Sequence, residues 1–417
     1  MHVIVVGAGI IGMMTAYHLS REGYAVSVLD AAPGPGVATS RANGAQLSYS
    51  FVAPLADPAV LPKLPSWLVG RNTPLRFRPR LDPDQWRWGL SFLNACRHEK
   101  SRRTTAELLL LGLYSRRLMH ELVEREHPQF DFKSSGKLLV YQDSATYASA
   151  LRQLEYQAGL GCRQTPLTRQ ACLDLEPALD AVGGKVFGGI FTATEDSGDC
   201  MQLCAELAGR LRAAANPVAF YFNTAVTRVR TASRRVAALM TSAGEMQADA
   251  YVMANGTGAQ RLARQIGINP GIYPLKGYSL TYDLTPDSVG PSLSVSDIAR
   301  KVVYARLGSR LRVAGMVDIG DRTDAIDLRR IDGLKRDVRS FFPKLNAAGE
   351  PRAWAGLRPA RPDGKPLIGA TPYGNLWLNV GHGALGFTLA AGSAGLLVDQ
   401  MAGRQGEISQ GIFSLGA

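Results

Sequence analysis

A chain of 417 residues, 46% hydrophobic and 20% charged, has the apolar material for two or three folded domains, which excludes collagenous, coiled-coil and wholly disordered classes. Lys and Arg outnumber Asp and Glu by 47 to 35, and the resulting +12 fits three anionic partners: nucleic acid, a membrane surface or an acidic substrate. Five cysteines without a CxxC pair point to a reducing, cytoplasmic compartment, and the N-terminus shows neither a charged n-region nor a cleavage site.

Residues 3–6 (Val3, Ile4, Val5, Val6) form a continuous apolar run, the pattern of a parallel strand buried on both faces. It ends in Gly7-Ala8-Gly9-Ile10-Ile11-Gly12. Gly7 suits a tight turn, Gly9 lets a pyrophosphate approach the backbone, and Gly12 lets the next helix pack against the strand. The free N–H groups and partial positive charge of that helix end bind phosphates without any lysine. A helix is predicted over residues 11–22, and residues 25–29 form a second strand leading to Asp30 and Ala31. Seventeen residues separate Gly12 from Asp30, whose carboxylate suits a ribose 2′-OH and repels a 2′-phosphate. Strand, glycines, helix, strand and acid in this order specify a dinucleotide site better than glycines alone.

After Thr39-Ser40-Arg41-Ala42-Asn43-Gly44-Ala45-Gln46 comes a Pro-rich stretch, residues 54–83, and then helical periodicity through residues 85–126. Short strands at residues 138–141 and 188–192 flank a helix at 145–158, which gives the middle of the chain a sheet of its own. A helix from Asp199 leads to a strand at 218–222 and on to Val226; residues 248–254 form a buried strand running into Asn255-Gly256-Thr257-Gly258. That turn reads equally as a neighbour of bound nucleotide or as a structural glycine turn. Residues 274–283 and 302–317 alternate like long antiparallel strands, with Gly308 turning a hairpin, and make a sheet able to roof a ligand. The chain re-enters the first domain from Leu357 and closes with a helix over residues 384–401, whose apolar stretch 387–398 falls short of the roughly 18 residues of a membrane span.

The 39–46 segment resembles the flavin-contacting loop of the D-amino-acid oxidase-like flavoproteins, and among them the bacterial D-amino acid dehydrogenases. Three further segments agree in order: Pro274-Leu275-Lys276-Gly277-Tyr278-Ser279, Trp354-Ala355-Gly356-Leu357-Arg358-Pro359, and Asn375-Leu376-Trp377-Leu378-Asn379 with Gly381-His382-Gly383. The resemblance spans nearly the whole chain. It implies a two-domain α/β (α+β) fold: a Rossmann-type FAD domain from residues 1–53, 198–270 and 352–417, and a substrate domain with a mainly antiparallel sheet from 54–197 and 271–351. It also implies FAD contacts at Val6, Gly7, Gly9, Ile10, Ile11, Gly12, Asp30 and Ala31, then at Ser40, Asn43, Gly44, Ala45 and Gln46. Later contacts are implied at Val226, Asn255, Gly256, Gly356, Gly381, His382, Gly383, Ala384, Leu385 and Gly386. Some sarcosine-oxidising relatives attach flavin through a late cysteine; none follows Cys204 here, so the FAD is expected to be non-covalent.

A carboxylate substrate needs a fixed cation, and Arg offers two parallel N–H donors matched to its oxygens. Arg358 is the candidate, the matched Arg of the family gripping the substrate carboxylate; the alternative is a structural ion pair, with Arg361 close enough to share either role. The lead 381–386 into the last helix supplies N–H groups suited to the flavin pyrimidine edge, and His382 there either lines the site or is structural. Tyr278 and Tyr304 on the roof strands either offer a phenol to substrate or pack in a core, and Lys276 and Arg312 are of similar standing. The histidines make no zinc-ligand spacing, and the cations, as at residues 97–103 and 228–235, are scattered without a basic tail, against metal catalysis and against a nucleic-acid module.

The expected reaction is oxidative deamination of a D-amino acid: Arg358 anchors the carboxylate, the Cα hydride passes to flavin N5, and the imino acid hydrolyses to a 2-oxo acid and ammonia. Resemblance implies a respiratory quinone as electron acceptor and a peripheral place at the cytoplasmic face of an anionic inner membrane, which gives the +12 a purpose; the same charge reads equally as that of a soluble basic enzyme of the cytoplasm. The rival reactions on the same scaffold are oxidation of a cyclic or N-substituted amino acid (hydroxyproline, proline, sarcosine or glycine type) and an oxidase using O2.

Overall fold

The computed structural model describes residues 1–69 and 73–416. The strand His2–Val6 lies between two parallel neighbours, Ala25–Leu29 and Ala250–Met253, in register Val6↔Leu29 and Val6↔Met253. Its side chains divide: Val3 and Val5 enter one core cluster, Ile4 and Val6 another, which is why the run carries no polar alternation. Six strands make this first sheet, in the order Leu367–Ala370, Leu376–Val380, Ala250–Met253, His2–Val6, Ala25–Leu29, Ala219–Tyr221, parallel except for the outermost hairpin.

One face of the sheet carries the helices Ile10–Arg21, His98–Glu126, Cys200–Ala213 and Gly386–Met401. The last of these is studded with small residues because it packs closely: a Cβ on Gly392 would stand 2.8 Å from that of Ser115, and one on Gly395 2.6 Å from Leu118. Residues Gly383–Met401 are long and apolar enough to cross a membrane by composition, yet they form this core helix, mostly buried inside the molecule. The other face carries a three-stranded antiparallel sheet, Val226–Ala232, Arg235–Thr241 and Gly244–Met246, and the helix Gly258–Arg264.

The second sheet has nine strands, antiparallel but for two parallel pairings. From its edge run Arg352–Ala360, Tyr273–Asp283, Arg310–Ile319, Val302–Leu307, Ser294–Asp297 and Lys137–Tyr141. Strand Arg352–Ala360 pairs with Tyr273–Asp283 over its whole length, so the chain returns to the first sheet only beyond Ala360, later than a boundary at 352 or a return at Leu357. The helix Leu328–Phe341 backs the sheet through Ile331, Leu334, Val338 and Phe341, which recur at helical spacing. The periodicity of residues 85–126 is two helices, Pro83–Ala95 and His98–Glu126. Asp82 caps the first by accepting the Asp84 N–H, and Arg97 is extended between them.

Candidate active site

At the C-terminal end of the first strand, Gly7 has φ +111, and a Cβ there would stand 2.7 Å from the Ala254 carbonyl oxygen. A Cβ on Gly12 would collide with the Gly7 carbonyl, so only glycine lets the helix sit this close to the strand. Gly9 occupies the N-cap of the helix Ile10–Arg21 without capping it through a side chain, and the Ile10 N–H donates to Ser40 Oγ at 3.1 Å; Ile11 follows in the first turn. Asp30 stands at the end of the second strand beside Ala31, its carboxylate accepting from the N–H groups of Ala8 at 2.6 Å and Ala32 at 2.8 Å. Asn255 and Gly256 lie next to Gly7 across the sheet, with Asn255 Oδ1 buried and unpaired. Val226 packs into the far-face core, and its carbonyl accepts from Arg261.

The 39–46 segment crosses the front of the second sheet strand by strand. Thr39 donates to the Leu357 carbonyl, Ser279 donates to that of Ala42, and Arg312 donates to that of Asn43. A Cβ on Gly44 would stand 3.2 Å from Val303, Ala45 turns with φ +55 while its N–H donates to Asn43 Oδ1, and Gln46 reaches the Val295 and Tyr304 carbonyls at 3.4 Å. Five successive strands of the sheet thus hold one loop, which ties the nucleotide end to the roof.

On the same front face, Gly277 and Gly356 are paired across neighbouring strands. The Arg358 guanidinium lies where a Gly277 side chain would be, and the Trp354 ring where one on Gly356 would be. Arg358 is half-buried and has no hydrogen-bond or ion-pair partner among the described residues; desolvation alone pulls its pKa down to about 10. That removes the ion-pair alternative, since Arg361 faces its own neighbour, Asp363, at 3.8 Å and packs its chain over Gly381. A partly buried guanidinium left unpaired is a site for an external anion.

Gly381 (φ +84) and Gly383 (φ +56) bring the chain through Ala384 and Leu385 to Gly386, where the helix Gly386–Met401 begins without a side-chain cap. His382 bridges Ala360, on the strand of Arg358, through its backbone. Its ring is buried with Nε2 unpaired, and burial takes its pKa down to about 3, so it is neutral. It can offer a hydrogen bond but no charge.

Two expected residues lie elsewhere. Side chains of a strand alternate, and with Gly277, Ser279 and Thr281 at the front, Lys276, Tyr278 and Leu280 point behind the sheet. Tyr278 donates to Asp318 at 2.8 Å, and Lys276 is bound to Asp321. Tyr304 is wholly buried, its ring stacked on Phe341 at 5.4 Å and edge-on to Phe342. Both tyrosines are core residues behind the roof, so neither faces substrate.

Two features were not foreseen, Trp354 and the buried Lys137 and Glu195, while Arg312 had been named with its role left open. Trp354 shares the glycine patch with Arg358 and was visible in its motif. Arg312, deep in the interface, joins Thr281 at 2.8 Å to Asn43. Lys137 and Glu195, far apart in sequence, are buried groups of opposite charge that feel each other's field at the end of the crossing loop: Lys137 donates to Ser48 Oγ at 2.8 Å, and Glu195 accepts the Ser50 N–H at 2.7 Å. No local motif marks them.

The uncapped helix ends, the orphaned Asn255 and His382 atoms and the acid at Asp30 suit a flavin dinucleotide, with a carboxylate-bearing ligand at Arg358. Residues 2–400 match the family described as DAO: FAD dependent oxidoreductase. The chain is 48% identical to D-amino acid dehydrogenase 2 of Ralstonia nicotianae over all of both chains. It is 42% identical to D-amino acid dehydrogenase 2 of Pseudomonas aeruginosa, over 100% of this chain and 98% of the relative. Its fold matches that of glycine oxidase from Geobacillus kaustophilus with a TM-score of 0.78, at 21% identity over 99% of this chain and 97% of the other. The chain is therefore an enzyme of the DAO family of FAD-dependent oxidoreductases.

Proposed function

We propose that the enzyme is a D-amino acid dehydrogenase, converting a D-amino acid and water to the 2-oxo acid and ammonia while two electrons pass to an acceptor other than oxygen. The Arg358 guanidinium, unpaired among the described residues, carries this reading: it sits on the front of the roof sheet in the space that Gly277 leaves by having no side chain, beside the Trp354 ring over Gly356. The names of the relatives at 48% and 42% identity over full length support the substrate class.

Arg358 fixes the carboxylate by two parallel N–H donors, and Trp354 bounds the pocket beside it. Neutral His382 adds no positive charge beside the substrate amine, which reacts in its deprotonated form. Orientation by a fixed guanidinium supplies the rate advantage without a general base on the protein. Bound FAD supplies the two-electron acceptor for the Cα hydride. The residues from Val6 to Gly12, Asp30, the 39–46 loop and the 381–386 lead would hold it non-covalently, since all five cysteines are buried and none follows Cys204. Electrons then leave for a quinone-type acceptor, with the enzyme peripheral to the cytoplasmic face of an anionic membrane.

The test is steady-state turnover of a panel of D- and L-amino acids, glycine, proline and sarcosine, with a quinone analogue or with oxygen as acceptor. The proposal predicts 2-oxo acid formation from D-amino acids with the quinone analogue. Fast peroxide formation, or preference for proline or sarcosine, would replace it with the corresponding rival.

A further inference from the structure

The helix Pro83–Ala95 has two apolar faces, and only one is covered. Gln85, Trp88, Phe92 and Ala95 point inward; Trp88 donates its indole N–H to the Ala360 carbonyl, two residues beyond Arg358. Trp86, Leu90 and Leu93 recur at i, i+4 and i+7, a single stripe on the opposite side, and are 50%, 68% and 43% exposed. Leu81, just before the helix, is fully exposed. The stripe and this loop are one surface, because the Trp86 indole donates to the Arg80 carbonyl at 2.9 Å and its ring meets Phe77 edge-on at 6.2 Å. Large aliphatic and indole side chains concentrated in this way mark a surface that meets another phase or partner.

The charge around the stripe selects the occupant. Residues 76–103 hold eight Lys and Arg against three acids, a net +5 within the chain's +12. Two of those acids are already engaged, Asp82 with Arg322 at 3.1 Å and Asp84 with Arg264. Arg80, Arg97 and Lys100 remain exposed near the apolar stripe, as does Arg87, whose guanidinium lies 3.8 Å from Asp84.

We propose that this face docks on an anionic lipid surface, with Trp86, Leu90, Leu93 and Leu81 entering the headgroup boundary and Arg80, Arg87 and Arg97 meeting lipid phosphates. A second copy of the chain fits poorly, because a two-fold interface would set these cations against their own equivalents. Nucleic acid would satisfy the cations and leave the leucines in water. The inference deepens the peripheral placement proposed above and is independent of the substrate. The helix docks by one face and packs by the other against the strand that carries Arg358, so the edge of the candidate site is held near the bilayer.

The experiment is sedimentation of the FAD-loaded enzyme with vesicles of phosphatidylcholine alone or mixed with equal phosphatidylglycerol. The wild type is expected to pellet with the mixed vesicles only, and to be released when salt is raised to about 1 M, where the Debye length falls to about 3 Å. Leu90→Glu and the pair Arg80→Ser with Arg87→Ser are each expected to weaken binding about tenfold or more while keeping flavin and amino-acid-driven bleaching. Wild-type enzyme left in the supernatant, or variants that pellet like it, would overturn the proposal. Light scattering that finds a dimer broken by Leu90→Glu, without vesicle binding, would overturn it in favour of a contact between copies. Failure of D-amino acids to bleach the wild type would count against the proposed substrate and leave the docking result standing.

Discussion

The half-buried Arg358 guanidinium has no hydrogen-bond or ion-pair partner among the described residues, whereas the buried Arg330 lies 3.0 Å from Asp318 and the buried Arg312 bonds Thr281 and Asn43. Replacing it by Leu should lower kcat/KM by about a thousandfold with flavin retained, and Lys should recover only part of the loss because a point charge cannot make the paired contact; steady-state kinetics and the flavin spectrum check both. Gly277→Ala acts on the same group indirectly. Its Cβ would collide with the Arg358 guanidinium, so KM should rise several-fold with little change in flavin content. Burial raises the Glu195 carboxyl to about 7 and lowers Lys137 to about 8, in each case against the attraction of the other. Raised above its unfolded value, Glu195 adds stability at low pH that is lost as pH climbs through about 7. Lys137, lowered, adds stability at high pH that is lost as pH falls through about 8. The pair therefore contributes least between those two values. Near neutral pH, Lys137→Met alone should cost about 3 kcal/mol by stranding a buried carboxylate, while Lys137→Met with Glu195→Gln should stay within about 1 kcal/mol of wild type. Urea unfolding across pH separates the two outcomes.

At the scale of elements, the crossing loop 39–46 is what joins nucleotide to roof, and Arg312 is its main side-chain clamp from the second sheet. Arg312→Leu should leave the fold intact and raise the fraction of FAD-free protein after gel filtration, since the Asn43 carbonyl loses its donor and Asp199, 3.8 Å away, loses a nearby cation. Unchanged flavin retention would mean that the backbone contacts alone hold the loop. This interface also explains what could be read from residue patterns. The Gly7–Gly12 turn and Asp30 are local, with every constraint inside one β-α-β unit, and were legible as spacing. Strands 273–283 and 302–319 were legible from alternation, but alternation does not say which face meets the ligand, and Tyr278 and Tyr304 fell on the other one. The three-stranded sheet 226–246 was missed because strand Val226–Ala232 is mostly exposed and carries little apolar signal. The helix Leu328–Phe341 was hidden by its dense charges despite its regular buried stripe.

Across the whole molecule, a mostly parallel sheet with uncapped helix ends faces the front of a mainly antiparallel one, and the 39–46 loop runs between them. The first sheet assembles strands from three stretches of chain, which the family resemblance implied and, in the residues themselves, only the repeated return of short apolar runs hinted at; the crossing of strand Arg352–Ala360 into the second sheet is a long-range pairing with no local signature. That crossing puts Arg358 on the roof and His382 beside its strand. The central claim is that this geometry grips the carboxylate of a D-amino acid for oxidation. It is tested most directly by mixing the oxygen-free yellow enzyme with D- or L-alanine and following flavin absorbance, for the wild type and for Arg358→Leu. The account predicts rapid bleaching of the wild type by the D-isomer, none by the L-isomer, and bleaching of Arg358→Leu that is slowed by orders of magnitude. Equal bleaching of the wild type and Arg358→Leu by the D-isomer would contradict it.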